Sequence, residues 1–453
     1  MASQNRLVVS TQCTTCGATL DFGEGSNAVA CEYCHSTLLV TGRGRVLSYA
    51  VMPRLEGRDA FAIARFAEPP SGTPLRVGEP RLYFLPYYRF RAIELRWQRY
   101  DATPPPVEYL PETREQYAPA ISIANVLAEL APDPEEVELR EHHVEKNFLA
   151  IRSPLPEIYS LGLRTTTLRL SLFGRSDLES LGAVVAPDLT VEEATERGES
   201  AVDEHRVAYR ELLARLLSLV YFPFWVVPVE RPGRRTATIV DAVSHAVAVR
   251  GASFEALSSV RTEAGESQTV GFRPLVCPEC GWSLPLRPDD SVFYCSTCFR
   301  AWKIVGDLLA QVDRGFAAPH DGGATTDKHL PFWELRGRIG DDKARRYLVP
   351  GFRLRRLKIL ADFATRLSRD SAPRDEASVP PSEAHGAFFD ERDAAALASF
   401  ALAAEEGERF DEVDAPPPLV VEAARLIWFP FRSEPYSYRE TASGLAFPKN
   451  LLL

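Results

Sequence analysis

The sequence has few of the features that identify a membrane, secreted or nucleic-acid-coating protein. No stretch reaches the roughly 20 consecutive apolar residues of a membrane helix, and the closest, residues 216–229, contains two prolines. The first ten residues lack the apolar core of a secretory signal. Lysine occurs only six times and the net charge is −10, which argues against sequence-independent binding to nucleic acid. We therefore expect a cytoplasmic protein without a membrane span, although peripheral association with a membrane stays open.

Sequence motifs of the common enzyme classes are also missing. There is no phosphate-binding P-loop, no dinucleotide-binding glycine pattern, no nucleophile elbow and no HExxH pair. Acidic residues are plentiful, but one sequence gives no reason to assign any two of them as acid and base. The sequence therefore favours a binding protein over an enzyme.

Cysteine is scarce, and all eight cysteines follow one spacing that occurs twice. Each set has two CxxC pairs separated by fourteen residues: Cys13, Cys16, Cys31 and Cys34, then Cys277, Cys280, Cys295 and Cys298. Two such pairs complete a tetrahedral shell of four sulfurs, which suits Zn²⁺. Gly17 and Gly281 follow the first pair of each set, where a tight turn favours positive φ. The sequence predicts two structural Zn²⁺ per chain, because four thiolates leave no open position for water.

The two cysteine segments resemble the zinc ribbons of the rubredoxin-like and transcription-factor-IIB-like group. The resemblance implies a small metal-stapled β-hairpin unit in each half and leaves the rest of the chain unmatched. A rubredoxin-like iron site is a further alternative, because four thiolates accept either metal. Rubredoxins have glycine after both CxxC pairs, whereas His35 and Phe299 follow the second pairs here. Residues 31–35 also fit the CxxCH pattern of haem attachment, but that interpretation leaves Cys13 and Cys16 unexplained.

Other short sequences recur in the same order in both halves. Residues 85–88 (LPYY) match residues 330–333 (LPFW), and residues 219–224 (LVYFPF) match residues 426–431 (LIWFPF). We interpret the recurrence as an internal duplication. It predicts an α+β fold with two lobes, each a four-cysteine zinc ribbon followed by a mixed body of helices and antiparallel strands. The expected boundaries are ribbon 1 at 1–46, lobe 1 at 47–250, a linker at 251–271, ribbon 2 at 272–305, and a shortened lobe 2 at 306–453.

Apolar periodicity predicts where the helices of these lobes lie. The longest runs from Thr190 to Leu219, with apolar residues on one face, and Pro223 is expected to end it. Further helices are expected at 117–131, 357–369 and 392–405, and a last one begins at Pro416 and runs into residues 426–431. Residues 93–97 alternate between apolar and polar, which predicts a half-buried strand.

Three more groups of residues are candidates for binding. His142 and His143 lie among glutamates and could bind a metal, although a solvated acidic face is the simpler interpretation. Two basic clusters are interleaved with aromatic residues and could contact phosphates and bases: Arg345, Arg346, Arg353, Arg355, Arg356 and Lys358, and Arg89, Arg91, Arg96 and Arg99. The leading prediction is a non-enzymatic scaffold subunit or assembly factor that binds a protein partner or a larger complex. A nucleic-acid-associated protein is the alternative.

Overall fold

The structure is a computed structural model, and its fold is dominated by strands. It describes residues 7–42, 46–70, 72–99, 137–152, 168–173, 175–200, 207–253, 270–319, 327–339, 344–369, 376–377, 380–405 and 419–453. Strands account for 50% of the described residues and helices for 16%, with five α-helices among them. The predicted α+β fold with helix-containing bodies is therefore wrong, and the protein is mostly β.

The first half of the chain, residues 7–253, contains thirteen strands and three helices among its described residues. The strands are β1 (Val8–Gln12), β2 (Thr19–Gly23), β3 (Ala28–Ala30), β4 (Thr37–Thr41), β5 (Leu47–Ala50), β6 (Arg76–Val77), β7 (Arg81–Arg99), β8 (Val137–Leu149), β9 (Arg169–Ser171), β10 (Ala183–Val184), β11 (Val207–Arg231), β12 (Arg234–Asp241) and β13 (Val247–Ser253). The helices are α1 (Gly57–Ala67), α2 (Arg175–Leu181) and α3 (Val191–Glu199).

The second half, residues 270–453, contains ten strands and two α-helices in its described part. The strands are β14 (Gly271–Pro274), β15 (Val292–Tyr294), β16 (Ala301–Val305), β17 (Leu308–Val312), β18 (Arg314–Phe316), β19 (Lys328–Ile339), β20 (Arg345–Pro350), β21 (Leu419–Ser433), β22 (Ser437–Glu440) and β23 (Ala446–Pro448). The helices are α4 (Leu357–Arg369) and α5 (Glu391–Glu405), followed near the end by a 3₁₀ turn at Lys449–Leu451.

Each half is built on one long antiparallel strand pair. In the first half β7 pairs with β11 inside an 11-stranded sheet, and Leu85 lies opposite Phe222. In the second half β19 pairs with β21 inside a 6-stranded sheet, and Leu330 lies opposite Phe429. The recurring sequences are thus hydrogen-bonded to each other within each half, in the same register.

The strands around these pairs also correspond. We call β11 and β21 the inner strands of the two pairs. Each inner strand also pairs with a short parallel strand, β5 with β11 and β18 with β21. An antiparallel strand lies on the other side, since β8 pairs with β7 and β20 pairs with β19. A tight turn follows β12 and β22 in both halves, where the backbone N–H of Asp241 donates to Ala246 and that of Glu440 donates to Leu445.

The helix expected from Thr190 to Leu219 is present only in its first part. Thr190 caps α3 through a capping box with Glu193, and α3 ends at Glu199. Residues 207–231 then form a single strand of 25 residues. A β-bulge between Leu213 and Leu216 adds one residue to this strand. The alternation of apolar and polar residues is therefore shifted by one position after the bulge. Across the bulge, the apolar residues have a spacing that resembles one face of a helix.

Pro223 lies within β11 and does not end a helix. On one edge β11 pairs first with β5, up to Tyr221, and then with β12, from Phe224 onward. Pro223 falls in the gap between these two partners, where its missing N–H breaks no ladder. Pro430 lies in the corresponding gap of β21, between β18 and β22. The prediction that a last helix runs into residues 426–431 is therefore also wrong, because these residues belong to strand β21.

Several predicted segments lie outside the described residues. They are the helix at 117–131, the start of the last helix at Pro416 and most of the linker at 251–271. The predicted helices at 357–369 and 392–405 correspond to α4 and α5. Among the described residues, no helix combines the length and the apolar character needed to cross a membrane.

The two halves of the chain contact each other directly. Strand β14, which leads into the second cysteine set, pairs with β4 of the first half, from Gly271 opposite Thr41 to Pro274 opposite Leu38. Far from there, one apolar core contains residues of β7 and β11 together with the sheet and helices of the second half. The halves therefore share both a sheet and a core.

Candidate metal centres

Each cysteine set forms a compact group at the ends of two turns. The four sulfurs of Cys13, Cys16, Cys31 and Cys34 all lie within 4.8 Å of one another, and so do those of Cys277, Cys280, Cys295 and Cys298. Within the described ranges, these are the two groups of cysteine, histidine or acidic side chains that are close enough to share an ion. The structure therefore brings together every cysteine that the spacing pointed to.

The distances between sulfurs fit a metal shell and not a disulfide. Cys13 Sγ lies 3.8 Å from Cys34 Sγ, and Cys16 Sγ lies 3.7 Å from Cys31 Sγ. In the second set, the pairs Cys277–Cys298 and Cys280–Cys295 are 3.5 and 3.6 Å apart. A tetrahedron with zinc–sulfur bonds near 2.3 Å has edges of about 3.8 Å, whereas a disulfide bond is about 2.05 Å long. The donor set therefore fits Zn²⁺ or another ion that prefers four thiolates.

A left-handed residue closes the turn after every CxxC pair. Gly17 and Gly281 both have φ +76°, as expected for glycine, and their N–H groups donate to the carbonyls of Cys13 and Cys277. His35 (φ +56°) and Phe299 (φ +60°) make the same bond to Cys31 and Cys295 without being glycine. The turn after the second CxxC pair of each set therefore has the same geometry as the turn after the first pair, although its last residue is not glycine.

Burial differs between the two cysteines of each pair. Cys13, Cys31, Cys277 and Cys295 are buried, whereas the second cysteine of each pair is partly or fully exposed. The buried thiols pack with apolar side chains, and the core of the second set includes Ala28 and Leu39 from the first half. Each group therefore lies between an apolar core and solvent, and the two ribbons share core residues.

The surroundings of the cysteines shift their pKa values in opposite directions. Hydrogen bonds with the Ser36 hydroxyl and backbone lower the pKa of Cys34 to about 6. Burial, together with hydrogen bonds from neighbouring thiols, raises the pKa of Cys298 to about 12. Four close thiols cannot all ionise without a nearby cation, because thiolates repel one another. A bound divalent ion would supply the charge that keeps all four as thiolates.

The histidine pair proposed from sequence does not form a metal group. His142 and His143 are adjacent in β8, so their side chains project to opposite faces of the strand. Burial, with Arg96 close by, lowers the pKa of His142. His143 instead lines a cleft of about 1170 Å³ between the two halves.

Only part of each basic cluster is used in internal contacts, and Arg345 on β20 is exposed. Arg346 forms an ion pair with Glu334 at 3.0 Å, and Arg353 packs on the Phe388 ring with its guanidinium 4.8 Å from the ring centre. In the other cluster, Arg89 is 1% exposed. In contrast, Arg355, Arg356 and Lys358 are exposed at the start of α4.

Sequence reasoning missed a partly buried carboxyl in the interlobe cleft. Asp393, near the start of α5, accepts a hydrogen bond from the backbone N–H of Ala214 at 3.0 Å. Burial raises the pKa of Asp393 to about 7, with a smaller contribution from Asp390. Ala214 has φ +50° and lies at the bulge of β11. The sequence contains no signal for this contact, because the two residues are far apart in the chain.

Fold and site together define a mostly-β protein with two four-cysteine groups arranged to bind metal. No protein-family model, no curated protein and no solved structure matches the chain. Its function must therefore be inferred from its own residues.

Proposed function

We propose that the chain is a non-enzymatic zinc protein that acts as a binding or scaffold subunit, or as an assembly factor, of a larger complex. Each four-cysteine group would hold one structural Zn²⁺. The observation that carries the proposal is the closed donor set, in which four sulfurs at tetrahedral spacing leave no position for a reacting water. Thiolates of this kind persist in a reducing cytoplasm, the compartment that we propose.

Exposed aromatic side chains beside the cysteines support a protein partner. Tyr33, between Cys31 and Cys34, is 71% exposed, and Trp282, two residues after Cys280, is 65% exposed. Large exposed aromatic residues are typical of contact surfaces between proteins. The metal-stapled turns would hold these two side chains rigidly in place.

The partner proposal is tested by affinity purification with matched variants. We expect the wild-type chain to retain a stoichiometric partner from its native lysate, and Tyr33→Ser with Trp282→Ser to lose that partner. The control is Phe66→Ser with Tyr436→Ser, two aromatic residues that are similarly exposed but do not adjoin a cysteine. A chain that stays a partner-free monomer, or equal loss in both variants, would contradict the proposal.

Nucleic-acid binding remains the alternative, and one observation favours it. Arg355, Arg356 and Lys358 are exposed, with no ion pair to any residue of the described ranges. Salt-dependent binding of DNA or RNA that is lost when all three are changed to alanine would support it. Absence of binding at about 50 mM salt would remove it, because phosphate contacts are strongest at low salt. An iron redox protein, the third candidate, would be coloured, whereas a zinc protein is colourless.

We also propose that the two halves are diverged copies of one ancestral unit. The identical registers of β7 with β11 and of β19 with β21 support this, as do the matched flanking strands. The copies would then offer two related surfaces to a partner.

A further inference from the structure

A buried ion-pair network lies at the centre of the long strand pair in the first half. Arg89 of β7 is 1% exposed, and its Nε donates to Glu24 Oε2 at 2.9 Å. Its guanidinium also contacts the Glu145 carboxylate on β8. Glu24 is itself buried and accepts a hydrogen bond from the Ser218 hydroxyl on β11. The buried Arg89 guanidinium is thus surrounded by two carboxylates, and Arg91 Nη1 lies 3.7 Å from Glu24 Oε2.

A second buried network lies at the centre of the strand pair in the second half. Glu334 of β19 is 3% exposed and lies 3.0 Å from Arg346 Nε on β20. The guanidinium of Arg425 on β21 donates to both Glu334 oxygens, at 3.2 and 3.3 Å. Arg425 also donates to Glu376 at 2.7 Å. Arg336 Nε also lies 3.7 Å from Glu334 Oε1, so the buried Glu334 carboxylate is surrounded by guanidinium groups.

The two networks occupy equivalent positions, and the central residues of the two networks have opposite charges. Arg89 is four residues after Leu85, and Glu334 is four residues after Leu330. On the inner strands, Ser218 lies opposite Arg89 and Arg425 lies opposite Glu334. On the strands that flank β7 and β19 from the other side, Glu145 of β8 lies opposite Arg91, and Arg346 of β20 lies opposite Arg336. The charge is therefore reversed at two equivalent pairs of positions, Arg89 with Glu334 and Glu145 with Arg346. Arg91 and Arg336 are both cations, and neutral Ser218 corresponds to Arg425.

We propose that this inversion of charge selects the correct strand partners when the chain folds. The apolar sequences of the two halves are so alike that β7 could pair with β21, or β19 with β11, in a native-like register. Patterning alone discriminates weakly between such alternatives. Buried charges discriminate well, because an unpaired buried charge is costly, and specificity is gained by making the wrong pairs unfavourable.

Each exchange of strands between the halves leaves the buried charges unsatisfied. With β21 beside β7, Arg425 would face Arg89. With β20 beside β7, Arg346 would replace Glu145 next to Arg89. With β8 beside β19, Glu145 would lie next to Glu334, and with β11 beside β19, Ser218 would offer no cation to Glu334.

The test transplants the second network into the first half of the full-length chain. The variant Arg89→Glu, Glu145→Arg and Ser218→Arg reproduces the charges around Glu334, with Glu24 in the place of Glu376. Its native ion pairs are satisfied, but both halves now have the same charges. After dilution from denaturant with Zn²⁺ and reductant, we expect the monomer yield on size-exclusion chromatography to fall about tenfold, because the wrong pairs are no longer penalised.

The control restores opposite charges by exchanging both networks. It combines the three substitutions with Glu334→Arg, Arg346→Glu and Arg425→Ser, and we expect its monomer yield to recover toward that of the wild type. If the transplant alone refolds as well as the wild type, the charges do not select partners. If the control refolds as poorly as the transplant, local context and not the inversion governs folding. Either result would overturn the proposal.

Discussion

The indole ring of Trp97 lies flat on the phenyl ring of Phe400, with ring centres 5.4 Å apart and planes 5° apart. Trp97 belongs to β7 of the first half, and Phe400 belongs to α5 of the second half. Tyr209 of β11 also stacks on Phe400, at 5.9 Å. The two halves are thus held together by an aromatic contact inside a common core, and they should unfold together.

Replacing Phe400 with alanine tests this coupling. The side chain is fully buried, so we expect Phe400→Ala to lower the free energy of unfolding by about 3–5 kcal/mol. Val420→Ala, at an exposed site on β21, should change it by less than about 0.5 kcal/mol. Denaturant titration followed by tryptophan fluorescence measures both variants. Equal effects of the two substitutions would show that the interlobe contact adds nothing to stability.

The buried network around Arg89 gives a second prediction. Arg89→Met removes the cation and leaves the Glu24 carboxylate buried, which should cost about 3–5 kcal/mol. The matched control is Arg169→Met. Arg169 is largely exposed and lies 3.4 Å from Asp21, so its loss should cost less than about 1 kcal/mol. A cost below that of the control would mean that solvent reaches Glu24 once Arg89 is gone.

Metal content gives a third prediction. We expect the purified chain to carry two Zn²⁺ and Cys280→Ser to retain one, because three thiolates bind the ion far more weakly than four. The melting temperature should fall as well, since metal binding contributes to folding. Ser283→Ala, three residues further on, should keep both ions. Elemental analysis after desalting measures the ratio, and full retention of zinc by Cys280→Ser would contradict the assignment.

The partly buried carboxyl of Asp393 predicts a dependence of stability on pH. Its pKa is raised by burial to about 7, so between about pH 4 and 7 the folded protein holds a proton that the unfolded chain has lost. This contribution to stability is present at low pH and is lost as the pH rises through 7. As the pH rises from 5.5 to 8, the wild type loses this contribution and Asp393→Asn does not. The free energy of unfolding of Asp393→Asn should therefore increase relative to that of the wild type, by on the order of 1–3 kcal/mol.

Urea titrations at several pH values measure this difference, and effects of pH on the cysteines cancel because both proteins share them. Asp59→Asn, on the exposed face of α1, should follow the wild-type profile. A constant difference between Asp393→Asn and the wild type across this range would show that Asp393 is ionised throughout.

The cysteine groups can be predicted from sequence because their geometry is local. Two thiols in a CxxC turn meet one ion whatever surrounds them, and the fourteen-residue spacing returns the second pair to the first. The strand at residues 93–97 is predictable as well, but not its half-buried character, because Glu94 is buried together with Ile93 and Leu95. Each of these features depends on residues that are close together in the chain.

The class of the fold cannot be predicted in the same way. Tyr209, Leu212, Leu213 and Leu216 have a helical spacing because the bulge at Ala214 shifts the strand period by one residue. Pro223 resembles a helix end, whereas the gap between β5 and β12 accommodates it within a strand. The bulge depends on the pairing of β11 with β7, which lies more than a hundred residues earlier in the chain. The gap at Pro223 depends on β5, which is also more than a hundred residues earlier, and on β12, which comes later. The contact between Asp393 and Ala214 is hidden for the same reason.

The pairing of β14 with β4 has a consequence for the order in which the protein can be completed. The sheet of the first cysteine set takes its third strand from Gly271–Pro274, and Ala28 and Leu39 pack beneath the second set. While the chain emerges from the ribosome, this edge of β4 stays unpaired until residue 274 has been made. A fragment that stops at residue 253 would therefore expose an open strand edge and part of an apolar core, whereas a fragment that includes β14 would cover that edge.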